Sequence, residues 1–180
     1  MRPTHRIAFL DRDGVLIQDV GYPHRIEDLH LLPGAVALCR LLQARGYALV
    51  IVTNQSGLAR KLFTLQEYQQ FTRALIHTLR AHGIHLRAVL ACPHHPHGQH
   101  PGYSRYCLCR KPGPGLLMRA RHSLRGSISS ALLLGDRRTD LRAAAQAGVP
   151  STAQYLVSPP AQDLNPPQAY QADAKGCSGP

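Results

Sequence analysis

The chain has 180 residues, 44% of them hydrophobic and 17% charged, which suits one globular domain able to hold its core without disulfides. No apolar run approaches a bilayer span, and the four consecutive apolar residues at 7–10 are too few for a secretory signal. A cytoplasmic protein with no membrane partner is therefore expected, its five cysteines serving as thiols or metal ligands. The 21 Lys and Arg against 10 Asp and Glu give a formal charge of +11, which asks for an anionic partner: a phosphorylated small molecule, a nucleic acid or an acidic membrane surface.

Ile7 to Leu10 reads as a short buried strand that stops at Asp11-Arg12-Asp13-Gly14. Pro33-Gly34 opens a helix with apolar positions Val36, Leu38, Leu41 and Leu42, closed by Gly46. Ala48 to Val52 is a second buried strand, ending at Thr53-Asn54-Gln55-Ser56-Gly57. Thr64-Leu65-Gln66-Glu67 has the spacing of a capping box, and helical periodicity follows from Tyr68 to Gly83. Val89 to Ala91 is a third strand, residues 92–112 are a loop rich in His, Pro and Cys, and a helix follows Pro114. Ala131 to Leu134 is a fourth strand, a helix runs from about Thr139 to Gly148, and Ala153 to Val157 is a candidate last strand. Apolar strands alternating with helices predict an α/β fold, a doubly wound parallel sheet covered on both faces. The domain is expected over residues 1–157, with a poorly ordered, proline-rich tail over 158–180.

Polar residues cluster just past the strand ends, where open α/β sheets bind ligands. Asp11 and Asp13 follow the first strand and Asp136 follows the fourth, so neighbouring strands would bring three carboxylates together. Such a group is unstable without a cation, and its oxygen donors suit Mg²⁺. A carboxylate there can attack a phosphoryl group, and a second aspartate two residues on can protonate the leaving oxygen. Taken alone, Asp-x-Asp-Gly is a weak signal, and a metal-free turn is its commoner reading. It is accompanied by Thr53, which offers a hydroxyl to a phosphoryl oxygen, by the cation of Lys111, and by Gly135-Asp136-x-x-x-Asp140.

In these four motifs the sequence resembles the haloacid dehalogenase-like phosphatases over about residues 5–150. The resemblance implies that Asp11 is the nucleophile and Asp13 the acid/base. It implies that Mg²⁺ is held by Asp11, the carbonyl of Asp13 and Asp136, that Thr53 and Lys111 hold the phosphoryl group, and that Asp140 orients Lys111 or the metal shell.

Cys92-x-His94 and Cys107-x-Cys109 are two close ligand pairs that could form a tetrahedral zinc site within the loop 92–109, with His95, His97 and His100 as rivals for the histidine. Cys39 falls in a helix as a core residue and Cys177 in the tail. A loop of this kind before Arg110-Lys111-Pro112 resembles the zinc-bearing branch of the superfamily. Gly21-Tyr22-x-His24, Thr53-Asn54-Gln55-Ser56-Gly57-Leu58-Ala59-Arg60 and Cys92-Pro93-His94-His95-Pro96 resemble most the D-glycero-D-manno-heptose 1,7-bisphosphate phosphatases within it. That likeness implies a core without a large cap and a structural Zn²⁺ on Cys92, His94, Cys107 and Cys109. It also implies sugar or second-phosphate contacts from Asp19, Val20, Gly21, Tyr22, Asn54, Gln55, Ser56, Arg110 and Arg137. Lys61 stands where that family has Gly, Arg137 where it has Lys, and the proline-rich tail where it has a last strand and helix.

The expected activity is Mg²⁺-dependent removal of the C7 phosphate by a monomer, serving surface-polysaccharide synthesis. Histidinol-phosphate phosphatase is the rival within the class, and a basic zinc-stabilised nucleic-acid-binding module the rival outside it. Few aromatics, no Trp and no recognised binding motif argue against nucleic acid. Residues 51–150 hold 14 of the 21 cations, and Arg60, Lys61, Arg110, Lys111 and Arg137 among them lie in or beside the motifs. The excess is thus read as a phosphate-ester site within an arginine-rich composition.

Overall fold

The computed structural model describes residues 5–157; the expected tail 158–180, with Cys177, lies outside the described residues. Five parallel strands form one sheet: β1 (His5–Leu10), β2 (Tyr47–Asn54), β3 (Leu86–Cys92), β4 (Gly126–Gly135) and β5 (Gln154–Leu156), in the order β3-β2-β1-β4-β5. Four helices connect them: α1 (Ala35–Ala44), α2 (Leu65–Ala81), α3 (Gly115–Leu124) and α4 (Arg138–Ala147).

Alternation along the strands divides the core in two. Ala8, Leu10, Leu49, Ile51, Leu132 and Leu134 face Cys39 and Leu42 of α1 and Phe71, Leu75 and Leu79 of α2. Ile7, Phe9, Val50, Val52 and Leu133 face Leu116 and Leu117 of α3 and Ala143 and Ala144 of α4. Because both faces are covered, strand residues of either parity are apolar, which is why β1 and β2 read as continuous apolar runs.

The predicted capping box is formed at α2. The Thr64 hydroxyl accepts from the Glu67 N–H at 3.2 Å, and Glu67 Oε2 accepts from the Thr64 N–H at 2.6 Å. The strands run longer or shorter than the sequence reading: β1 begins at His5 rather than Ile7, and β2 spans Tyr47–Asn54 rather than Ala48 to Val52. β4 begins at Gly126 rather than Ala131, because Gly126 and Ser127 pair with His5 and Arg6 although they carry no apolar signal. β3 starts at Leu86, three residues before the expected Val89. At the far edge Gln154–Leu156 pairs with Leu133–Gly135, so this chain has a short fifth strand ahead of its proline-rich segment.

The chain runs outward from β1 through β2 to β3, then crosses back to β4 on the other side of β1. That reversal opens a crevice at the strand ends. Leu10 is level with both Ile51 and Leu134, so the residues just past β1, β2 and β4 meet there. Residues 11–34 contain a 3-10 turn at Ile26–Asp28 and isolated bridges from Ile17 to Asp13 and Leu31, and no inserted domain covers the crevice among the described residues.

Candidate active site

The turn after β1 is set by main-chain bonds. The Asp11 N–H donates to the Leu134 carbonyl at 2.9 Å, and the Leu16 and Ile17 N–H groups donate to the Arg12 carbonyl at 3.0 and 3.1 Å. Gly14 sits at φ 75°, and a Cβ there would lie 2.5 Å from Asp136 Oδ2. Only glycine supplies this backbone and this close approach together.

Lys111 is 3% exposed, and its ammonium joins the ends of β1 and β2 to the first turn of α4. Nζ lies 2.9 Å from Asp11 Oδ1 and 2.6 Å from Asp140 Oδ1, and it donates to the Val52 carbonyl at 2.9 Å. Burial pulls the Lys111 pKa down, but Asp11 and Asp140 more than offset this and the net shift is upward, so the ammonium keeps its proton. Asp140 has its other oxygen, Oδ2, taken by the Arg137 N–H at 2.9 Å.

Asp11 is buried and flanked by Asp140 and Asp13. Its pKa is pushed up to about 7 by burial, with Lys111 pulling the other way. Burial also raises the Asp136 pKa, against the pull of Arg137. Asp136 Oδ1 is buried with no hydrogen-bond partner among the described residues. Carboxylate oxygens of Asp11, Asp136 and Asp140 lie within 4.8 Å of one another. An all-oxygen group with one buried lone pair unspent fits a hard divalent cation. Asp140, whose Oδ1 is ion-paired with Lys111 and whose Oδ2 accepts from the Arg137 N–H, is better placed as the anchor of Lys111 than as a ligand.

Thr53 and Gln55 follow from β2. Gln55 Nε2 donates to Thr53 Oγ1 at 2.9 Å and faces Asp13 Oδ2 at 3.3 Å. Asn54 lines the cleft and also grips Lys111. Its Nδ2 donates to the Lys111 carbonyl and its Oδ1 accepts from the Lys111 N–H, both at 3.0 Å. The amide thus holds the lysine's main chain.

A cleft of about 410 Å³ opens above these groups. Its lining includes every predicted residue outside the cysteine loop except Val20, which the structure leaves out of the wall. Arg60, Thr139 and Asp140 also line it. Arg60 is brought there because the Gln99 and His100 N–H groups both donate to the Ala59 carbonyl, at 2.7 and 2.9 Å, docking the long loop on the turn after β2. Arg60 Nη2 then faces His95 Nε2 at 3.2 Å. Arg137 Nη2 donates to Asp19 Oδ2 at 2.7 Å across the mouth, an exposed bridge of small energetic weight.

In the cysteine loop, ligand atoms of Cys92, His94 and Cys107 converge within 4.8 Å. Cys92 Sγ and His94 Nδ1 are 3.6 Å apart. Of the rival histidines, His95 and His100 have their Nδ1 atoms occupied by the His97 and Gly102 N–H groups. Cys109 is outside the convergent three; its N–H donates to Cys107 Sγ at 3.4 Å. Burial pushes the Cys92 thiol up to about 12. Burial also raises Cys107, but the Cys109 N–H and the neighbouring thiols donate to it and leave it net lowered. Two sulfurs and an imidazole nitrogen are the donor chemistry of a zinc site.

Sequence reasoning gave Arg12 no task, although the structure buries it beside Asp13. Residue x of Asp-x-Asp carries no spacing signal of its own. Thr139 was equally silent, while Arg60 was marked by its charge and by its place at the end of the Thr53–Arg60 stretch.

The aspartate–lysine–aspartate row at the switch point of a parallel sheet, beside the half-buried Asp136 and below an uncapped cleft, defines a haloacid dehalogenase-like phosphoric monoester hydrolase. Residues 108–155, which include Lys111, Asp136 and Asp140, match the HAD-hydrolase-like family. The chain is 40% identical over 141 residues to a D-glycero-beta-D-manno-heptose-1,7-bisphosphate 7-phosphatase of Yersinia pestis, covering 78% of this chain and 75% of that one. It is 37% identical over 145 residues to the corresponding alpha-anomer enzyme of Photorhabdus laumondii, covering 81% and 79%. A crystal structure of D,D-heptose 1,7-bisphosphate phosphatase from B. bronchiseptica, complexed with magnesium and phosphate, superposes with a TM-score of 0.73 at 32% identity, covering 84% and 79%. The chain belongs to the D-glycero-D-manno-heptose-1,7-bisphosphate 7-phosphatase family of these phosphatases.

Proposed function

We propose that the protein is a Mg²⁺-dependent cytoplasmic phosphatase, acting as a monomer, that removes the C7 phosphate of D-glycero-D-manno-heptose 1,7-bisphosphate for heptose-nucleotide and surface-polysaccharide synthesis. The observation that carries this reading is the Asp11–Lys111–Asp140 row beside the unspent oxygen of Asp136, under a cleft with Arg60, Arg110 and Arg137 in its wall. The names of its relatives support the sugar bisphosphate, and the magnesium in the B. bronchiseptica complex supports the metal.

Asp11, Asp136 and the Asp13 carbonyl would hold Mg²⁺, whose charge lets a carboxylate approach a phosphate. Asp11 attacks phosphorus while the bond to the C7 oxygen breaks, and the Asp13 carboxyl gives its proton to that oxygen. Asp13, now a carboxylate, takes a proton from water as the water attacks phosphorus. Phosphate leaves, and Asp11 and Asp13 return to their starting forms. Lys111 and Thr53 bind the equatorial oxygens, where charge must be neutralised in phosphoryl transfer. The arginines of the wall receive the second phosphate, which remains on the sugar.

Cys92, His94 and Cys107, with Cys109 as fourth ligand, hold a structural zinc that ties the end of β3 to the segment delivering Arg110 and Lys111. Metal analysis of the purified protein should return about one zinc per chain. It should fall when Cys107 and Cys109 are both changed to Ser; a stable, active, zinc-free wild type refutes the assignment.

The activity is tested by comparing kcat/KM for heptose 1,7-bisphosphate and for histidinol phosphate with Mg²⁺ present. The expected preference is for the bisphosphate, and a preference for histidinol phosphate reverses the substrate. Asp11→Asn should abolish turnover of both while the circular dichroism spectrum is unchanged. Persistent phosphate release would remove the nucleophile.

A further inference from the structure

Arg12 is one of the largest fully buried side chains of the protein, 2% exposed. A guanidinium stays charged at any ordinary pH, so burying it is costly unless it is paired. Its pairing is with Asp13. Arg12 Nε lies 2.7 Å from Asp13 Oδ1, and Nη2 donates to Asp13 Oδ2 at 3.0 Å. Two parallel bonds from a rigid fork fix the plane of the carboxyl, not merely its position.

The fork is itself held from elsewhere. Nη2 also donates to the Pro23 carbonyl at 3.1 Å, and the guanidinium carbon stands 4.9 Å from the centre of the Phe71 ring in α2. The orientation of Asp13 is thus referred to the fold rather than to its own flexible χ angles. Arg12 is not among the residues lining the cleft, so it acts on the reaction only through a neighbour.

We propose that Arg12 is a positioning residue that orients the Asp13 carboxyl for proton transfer to the leaving oxygen. The inference rests on the reading of Asp13 as acid/base given above. A side chain with a purely structural task would, when changed, lower turnover of every substrate alike. A positioning residue for the acid lowers it most where the leaving group needs a proton.

The test compares an alkyl ester with an aryl ester. Wild type, Arg12→Lys, Arg12→Gln, Asp13→Asn and the Arg12→Lys/Asp13→Asn double variant are assayed with heptose 1,7-bisphosphate, whose alkoxide must be protonated to leave. Fructose 1,6-bisphosphate replaces it should the heptose ester not be turned over. Each is also assayed with p-nitrophenyl phosphate, whose phenolate leaves unaided. The ratio of kcat/KM values within one preparation is independent of the fraction folded, and Arg12→Lys keeps the buried charge should Arg12→Gln fail to fold.

The expected result is that Arg12→Lys lowers the alkyl-to-aryl ratio by about 10-fold, within the roughly 100-fold or greater contribution of a general acid. Asp13→Asn lowers it further, and Arg12→Lys adds nothing in that background. An unchanged ratio in Arg12→Lys with a lowered one in Asp13→Asn overturns the inference and leaves the role of Asp13 standing. A further fall in the double variant also overturns it, because Arg12 would then act by another route. An unchanged ratio in Asp13→Asn removes the acid/base reading, and this inference with it.

Discussion

Asn54 gives both polar atoms of its amide to the main chain of Lys111, 57 residues away in sequence. Replacing it by Ala deletes two half-buried hydrogen bonds, about 1 kcal/mol each, so unfolding in urea should show a loss of about 2 kcal/mol. Turnover should fall as well, because the main chain that carries the lysine would no longer be held against the end of β2. Asn54→Asp should not restore it, since a carboxylate cannot donate to the Lys111 carbonyl. Asn54 shows where reading from the sequence ran out. Its place beside Thr53 identified it as part of the site, but a side chain at a strand end can face substrate or a neighbouring loop, and only the long-range pairing decides. Asp11, Lys111 and Asp140 were legible because each chemical group belongs to a motif with fixed spacing. Arg12 was not, because its task depends on Phe71 and Pro23, which share no local pattern with it.

The turn joining β2 to α2 carries one of the three departures from the family pattern. Lys61 has φ 58°, in the left-handed region, which is the physical reason that Gly suits this position. A non-glycine residue there costs roughly 1–2 kcal/mol, partly offset by the greater freedom glycine has when unfolded. Lys61→Gly should therefore raise stability by about 1 kcal/mol, read from urea or thermal unfolding, and a decrease would show that the lysine side chain compensates the turn. At this scale the sequence reading located every strand and helix, because a sheet buried on both faces writes itself as apolar runs. It shortened β4, whose first residues are ordered by pairing with His5 and Arg6 rather than by burial of apolar side chains.

Across the whole molecule the formal +11 is unevenly placed, with Arg60, Arg110 and Arg137 in the wall of the cleft. Cations around a concave, partly desolvated site focus their field on an incoming anion. Raising the ionic strength from about 0.02 to about 0.5 M shortens the Debye length several-fold and should lower kcat/KM for a bisphosphate several-fold. The fall should be smaller for a monophosphate of the same sugar. Equal falls would place the recruiting charge elsewhere on the surface, for instance on Arg121 and Arg125 near the end of α3, which line a separate cavity.

The ammonium of Lys111 has three hydrogens and, in this structure, three close oxygens: Asp11, Asp140 and the Val52 carbonyl. An arriving phosphate oxygen must therefore share the ammonium with one of these three. In the proposed reaction Asp11 is the partner whose character changes, since its charged oxygen becomes the bridging oxygen of an acyl phosphate once phosphorus is attached. The hydrogen it held is then released beside the new phosphoryl group, while Asp140 and Val52 keep the lysine in place. Nucleophile and phosphate would use the same donor in turn, so the site exchanges one anion for another without moving its cation.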